Sequence, residues 1–181
     1  MYNPICRVPH GVQCIFYGKL IQLLRALAKF PDHVILFTGA NADHGGYVIN
    51  ELFGDYVARY PKRSIFIQSL GRENYIAAMT YAALVVGNSS SGLAEAPTFR
   101  IGTVNIGDRQ KGRLKAKSII DCEPTKASIK KAIKTLYSED FQNILPTINN
   151  PYSKVNGTEK IIKVLRDVIL PKELKKEFHN I

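Results

Sequence analysis

Apolar and polar positions recur along this chain with two different periods, and the two take turns. Over residues 19–30, Leu20, Leu23, Leu24 and Leu27 fall at helical spacing, which predicts an amphipathic helix with one face turned inward. Residues 34–38 are short and largely apolar and read as a buried strand. A second helix is expected over 47–60, stopped by Pro61, which has no amide hydrogen to continue the ladder. The alternation continues through a strand at 64–68, a helix at 73–83, and strands at 84–87, 101–106 and 118–122. Over 126–137, Ile129, Ala132, Ile133 and Leu136 form an apolar stripe while Lys130, Lys131 and Lys134 keep to a wet face. Residues 139–157 read as a loop around Pro146 and Pro151, with terminal helices at 158–169 and 171–178. Strands that alternate with helices pair in parallel through right-handed crossovers. The expected fold is therefore α/β, a Rossmann-like doubly wound parallel sheet with helices on both faces.

The pattern is most informative where a strand empties into small hydroxyl residues. Leu84, Val85, Val86 and Gly87 lead straight into Asn88, Ser89, Ser90, Ser91 and Gly92, with Glu95 three residues further on. A helix opening at those serines would present amides that have no partner inside it, a favourable dipole and extra hydroxyl donors, which together suit a phosphate. Glu95 would then lie about one turn along, within reach of ribose hydroxyls. The plain alternative is a capped helix whose Glu95 supports its first turn. The next strand end carries a second polar segment, Asp108-Arg109-Gln110-Lys111-Gly112-Arg113. Ligands of open α/β sheets bind beyond the carboxyl ends of the strands, so both segments are expected to line one crevice. A solvated charge run is the bland account of Arg109, Lys111 and Arg113.

These residues resemble a known family, the hydrolysing UDP-N-acetylglucosamine 2-epimerases of sialic-acid and polysialic-acid biosynthesis. Gly87-Asn88-Ser89-Ser90-Ser91-Gly92 with Glu95 is similar to the family's phosphate and ribose motif. The segment from Val104 through Asn105, Ile106, Gly107 and Asp108 to Arg113 resembles the strand and loop that follow it, and Phe37 to Gly46, with Asn41, Asp43 and Gly45 in its core, resembles an upstream strand end. The three occur in the family's order and separation, and together are far more specific than any one of them. The resemblance implies the C-terminal half of a two-domain glycosyltransferase-B architecture, with 1–181 forming one UDP-binding domain, 1–18 an atypical or truncated start and 158–181 terminal helices. It implies that Ser89 and Ser90 hold the diphosphate, Glu95 the ribose, and Arg109 the phosphate or sugar side. Asn41 would meet the ligand from the neighbouring loop, with Asp43 and Ser91 as further candidates, and the uracil would lie near Ser69, Leu70 and Gly71. The family's chemistry converts UDP-N-acetylglucosamine to N-acetylmannosamine and UDP. A base takes the C2 proton as the C1–O bond breaks, and water then adds to the glycal with inversion at C2. The residues for that proton transfer belong to the family's N-terminal half, so no catalytic residue is expected in this chain, which by itself would bind UDP without turnover. The first eleven residues depart from the family pattern, and His10 is not carried over.

Composition adjusts this picture in one respect. With 181 residues and 45% hydrophobic content the chain is long enough for a proper core. No apolar run is long enough to span a bilayer and no signal segment opens the chain, so a cytoplasmic protein without a membrane partner is expected. Cys6, Cys14 and Cys122 are odd in number and lack metal spacing, so neither a disulfide framework, a metal nor a cofactor is expected. Cys122 reads as a small buried hydrophobe. The formal charge of +10 is the competing signal, with sixteen Lys and Arg against eight Asp and Glu over residues 109–181. A nucleic-acid partner is disfavoured because no aromatics interleave with those cations to stack on bases. UDP or UDP-N-acetylglucosamine is the expected partner, and a homo-oligomer is entertained beside the monomer. Two other functions stay open: the donor-binding domain of a glycosyltransferase of the same architecture, and a non-catalytic nucleotide-binding module.

Overall fold

A computed structural model of the chain describes residues 12–40, 46–153 and 156–169. The elements, in order, are α1 (Val12–Leu27), β1 (Ile35–Thr38), α2 (Gly46–Arg59), β2 (Ser64–Ile67), α3 (Gly71–Tyr81), β3 (Leu84–Gly87), α4 (Ser91–Ala94), β4 (Gly102–Ile106), β5 (Ile119–Cys122), α5 (Lys126–Leu136), α6 (Glu139–Ile144) and α7 (Gly157–Asp167). One-turn 3₁₀ helices follow α4 at Ala96–Phe99 and α6 at Leu145–Thr147. The chain divides into two compact units, Met1–Pro151 and Tyr152–Ile181.

Every strand pair among the described residues is parallel. β1 pairs with β2, and β3, β4 and β5 form a second ladder in that order. The β3–β4–β5 sheet is sandwiched, as alternation along its strands shows. Val104 points into a core with Ala26 of α1 and Ile129, Ala132, Ile133 and Leu136 of α5, and Leu84 and Val86 pack on the same side. Val85 turns the other way, into a cluster of Met79, Ala96 and Ile101. Helices therefore cover both faces, as a doubly wound sheet requires. The β1–β2 sheet has its own core, where Phe37 meets Leu24 of α1 and Leu52 and Tyr56 of α2. Leu36 and Ile65, cross-strand partners on its other face, remain 40% and 48% exposed.

Local chemistry explains the elements that define the site. α5 is capped by Thr125, whose hydroxyl accepts from the Ser128 amide at 3.2 Å, and buries the stripe Ile129, Ala132, Ile133 and Leu136. α4 is much shorter than its serine-rich opening suggests. Pro97 stands four residues beyond Leu93, and its ring would collide with the Leu93 carbonyl if the helix continued. The chain instead stops at Ala94, with Glu95 as the C-cap at φ −107°, and resumes as a 3₁₀ turn closed by Arg100 at φ 56°. Glu95 thus stands one turn beyond Ser91, its amide donating to the Ser91 carbonyl at 2.9 Å, but the helix goes no further, and neither Glu95 nor Ser90 makes a side-chain cap bond.

Residues 139–157 also differ from a plain loop. Ser138 caps α6 by accepting from the Phe141 amide at 3.4 Å, and Phe141 and Leu145 are buried. Pro146 sits near the start of the following 3₁₀ turn, where its missing donor costs nothing. In the second unit, α7 carries Glu159 in its first turn and Arg166 in its last, the favourable sense for the helix dipole, and none of its residues is buried. The helix expected at 171–178 lies outside the described residues.

Candidate functional site

Parallel pairing gathers the carboxyl ends of the strands within each sheet, and the loops that leave those ends are cross-linked. At the end of β1, the Ala40 amide donates to Asn50 Oδ1 of α2 at 2.9 Å, and Asn50 Nδ2 donates to Gln68 Oε1 beyond β2 at 3.2 Å. Gly39 is required there. A Cβ on it would stand 2.5 Å from the Gln68 carbonyl oxygen. The β2–α3 turn is held from within, where Ser69 Oγ accepts from the Gly71 amide at 3.3 Å and the Leu70 carbonyl accepts from Asn74 Nδ2 at 3.1 Å. One turn into α3, the Tyr75 hydroxyl meets the Ser91 hydroxyl in a hydrogen bond.

Ser89 and Ser90 are exposed at the end of β3. Backbone pairing of α4 begins with Gly92 donating to the Ser89 carbonyl at 3.3 Å, so the amides of Ser89 and Ser90 precede its ladder. Ser89 Oγ also accepts from the Ser91 amide at 3.4 Å. Gly92 lets this turn settle on β4, since a Cβ there would come within 2.8 Å of Thr103 Cγ2; Thr103 Oγ1 in turn donates to the Gly92 carbonyl at 2.9 Å. Glu95 is exposed in the turn that follows, and its carbonyl accepts from Thr98 at 2.9 Å. Asn150 braces the segment from behind, donating at 2.7 Å to the Ala94 carbonyl and to Thr98 Oγ1.

β4 leads into a crossing to β5 that contains no regular helix, and Arg109 and Lys111 lie exposed in it. Gln110 between them is buried, and its Nε2 donates to the Asn88 carbonyl at 2.6 Å. Further along, Lys115 Nζ meets both carboxylate oxygens of Asp121 at 2.9 and 2.7 Å, and buried Asn105 donates to the same carboxylate at 2.7 Å. Partial burial pushes the Asp121 carboxyl upward, but the hydrogen bonds from Lys115 and Asn105 and the lysine charge hold it below the usual carboxylate range. Burial, with Asp121 and Glu123 as neighbours, pushes the adjacent Cys122 thiol up to about 11. A cleft of about 570 Å³ opens beside these groups, lined by Lys19, Lys111, Lys115, Asp121 and Ser128.

Sequence-expected residues thus fall into three groups. Ser89, Ser90, Ser91 and Glu95 lie together beyond β3. The Arg109 crossing is joined to them through Gln110, and Ser69, Leu70 and Gly71 are joined through α3 and Tyr75. Asn41 and Asp43 lie outside the described residues. Asn50 and Tyr75, which help fasten the loops to one another, carry no signal in the local pattern, and Gln110 shows there only as one member of the polar run 108–113. Among the described residues, no three His, Cys, Asp or Glu side chains come together as a metal-binding group, and no helix is long and apolar enough to cross a membrane.

Comparison with known proteins decides the family. Residues 17–166 match UDP-N-acetylglucosamine 2-epimerase. The chain belongs to the UDP-N-acetylglucosamine 2-epimerase family. Within it, the chain is 35% identical over 165 residues to polysialic acid biosynthesis protein P7 of Escherichia coli, covering 90% of this chain and 42% of that protein. It is 38% identical over 161 residues to GDP/UDP-N,N'-diacetylbacillosamine 2-epimerase (hydrolyzing) of Campylobacter jejuni, covering 88% and 41%. The fold is that of UDP-GlcNAc 2-epimerase from Methanocaldococcus jannaschii, crystallised with UDP-GlcNAc and UDP, with a TM-score of 0.65 at 16% identity over 83% of this chain and 41% of that one. The chain thus spans about 42% of the length of the curated relatives it matches.

Proposed function

We propose that this chain is the half of a hydrolysing UDP-N-acetylglucosamine 2-epimerase that holds the nucleotide and stabilises it as a leaving group. The observation that carries the proposal is the exposed Ser89–Ser90 turn at the carboxyl end of β3, fixed to the neighbouring loops, with the exposed carboxylate of Glu95 in the next turn. Amides and hydroxyls of Ser89 and Ser90 bind the diphosphate, and Glu95 accepts from the two ribose hydroxyls. Arg109 makes a bidentate contact to phosphate from the β4–β5 crossing. The backbone at Ser69, Leu70 and Gly71 reads the uracil edge. Asn41 is assigned to the same site on the resemblance alone, with Asp43 as a further candidate. Ser91, whose hydroxyl is engaged by Tyr75, contributes by shaping the turn.

Departure of UDP leaves negative charge on the diphosphate, and donors already fixed in place stabilise that charge without reorganising at the moment of reaction. Proton transfer at the sugar's C2 needs a positioned base, and the resemblance assigns that base to the family's other half. The 181-residue chain by itself therefore binds UDP and does not turn over UDP-N-acetylglucosamine. Neither metal nor cofactor is required by the proposed role.

Calorimetric titration of the purified chain with UDP tests the proposal, with RNA as a parallel ligand. Saturable UDP binding is expected, weakened at least about tenfold by Glu95→Ala or by Ser89→Ala/Ser90→Ala, the loss of one or two charge-assisted hydrogen bonds. Salt-sensitive RNA binding with no response to UDP would overturn it.

A further inference from the structure

Gln110 lies between two exposed cations, Arg109 and Lys111, yet only 3% of it reaches solvent. Its Nε2 donates to the Asn88 carbonyl, 22 residues earlier, at 2.6 Å. Its Oε1 is buried with no hydrogen-bond partner among the described residues. An amide that pairs one end and buries the other unpaired adds little net stability, and an apolar side chain of the same shape would fill the space as well. What glutamine supplies is a donor aimed at one particular carbonyl.

That carbonyl shares a peptide plane with the amide of Ser89. Peptide units are planar, and the described residues contain no cis bond, so the Ser89 N–H points opposite to the Asn88 C=O. Fixing the carbonyl on Gln110 therefore aims the Ser89 amide away from Gln110. A hydrogen bond accepted by a carbonyl also polarises the N–H at the other end of the same peptide, which makes it a stronger donor to an anion. We infer that Gln110 is a positioning residue that orients and polarises the Ser89 amide for the diphosphate of UDP. The inference rests on the UDP-binding role proposed above and adds a residue that does not itself touch the ligand. It also ties the basic crossing to the serine turn: the segment that carries Arg109 is the segment that sets the serine amide.

Two variants separate this role from simple packing. Gln110→Met keeps the shape and loses the donor, whereas Gln110→Glu keeps the shape and sets an acceptor against the carbonyl. Wild type and both variants are titrated with UDP and with uridine, which lacks the phosphates, and thermal melting checks the fold. The expected result is UDP binding about tenfold weaker in Gln110→Met and weaker again in Gln110→Glu, with uridine affinity within about twofold of wild type. Unchanged UDP affinity in both variants, beside a wild type that binds, overturns the positioning role alone. So does a proportional loss of UDP and uridine, or a failure of both variants to fold, since either marks Gln110 as a general core residue. A wild type that binds no UDP overturns the underlying reading and this inference with it.

Discussion

Asp121 is held by two donors of different character, the half-buried ammonium of Lys115 and the buried amide of Asn105. Because its carboxyl lies below the ordinary range in the folded chain, it contributes stability above the unfolded value of about 3.9 and loses that contribution as the pH falls through the folded value. Asp121→Asn is therefore expected to be less stable than wild type at neutral pH by under about 1 kcal/mol, the pair being well solvated. The difference should shrink and then vanish as the pH falls from the ordinary carboxylate value through the lowered folded one, with urea denaturation at several pH values as the measurement. The neighbouring thiol behaves in the opposite sense. Only the thiolate alkylates readily, and Cys122 is held near 11. Iodoacetamide at neutral pH should leave Cys122 unmodified in the native chain and label it after denaturation, as read by peptide mass mapping. Fast native labelling would show that the thiol is more open than its half-buried place indicates.

At the scale of elements, α4 does the most with the least. Its four residues sit so close to β4 that Gly92→Ala would force a Cβ to within 2.8 Å of Thr103 Cγ2. That overpacking is expected to cost about 1–3 kcal/mol in urea denaturation and to weaken UDP binding by displacing the serine turn. Which elements were legible follows from the same geometry. β3 and α5 were readable because their patterns are local: an apolar run ended by Gly87, and a stripe of Ile129, Ala132, Ile133 and Leu136. The start of α4 and the place of Glu95 one turn along it are legible in the serines, whereas its end is set by Pro97 a few residues on. α6 was hidden because Pro146 reads as a loop marker until the buried Phe141 and Leu145 are seen to anchor the turn before it. Gln110 to Asn88, Asn50 to Gln68 and Tyr75 to Ser91 join residues 16 to 22 positions apart. Such contacts depend on how strands stack side by side, so periodicity carries no trace of them.

Across the whole molecule, charge and cores set the behaviour. A net charge of +10, weighted toward residues 109–181, gives an attractive field for a dianionic ligand. The association rate of UDP, followed by stopped flow, should fall steeply as ionic strength rises while that of uridine changes little. Equal salt dependence would mean that the basic surface plays no part in capture. The first unit also holds two sheets with separate cores, one built on Val104, Ile129 and Leu136 and the other on Phe37, Leu52 and Tyr56, and Leu27 of α1 packs against both. The second core is the smaller, and the sheet over it is open on one side. Such an arrangement allows partial opening, with β1 and β2 releasing their amides while β4 keeps its own. Deuterium exchange is expected to run on two clocks, faster at Phe37 and Ile67 than at Val104, and a single common rate would show that α1, shared by both cores, is enough to couple them.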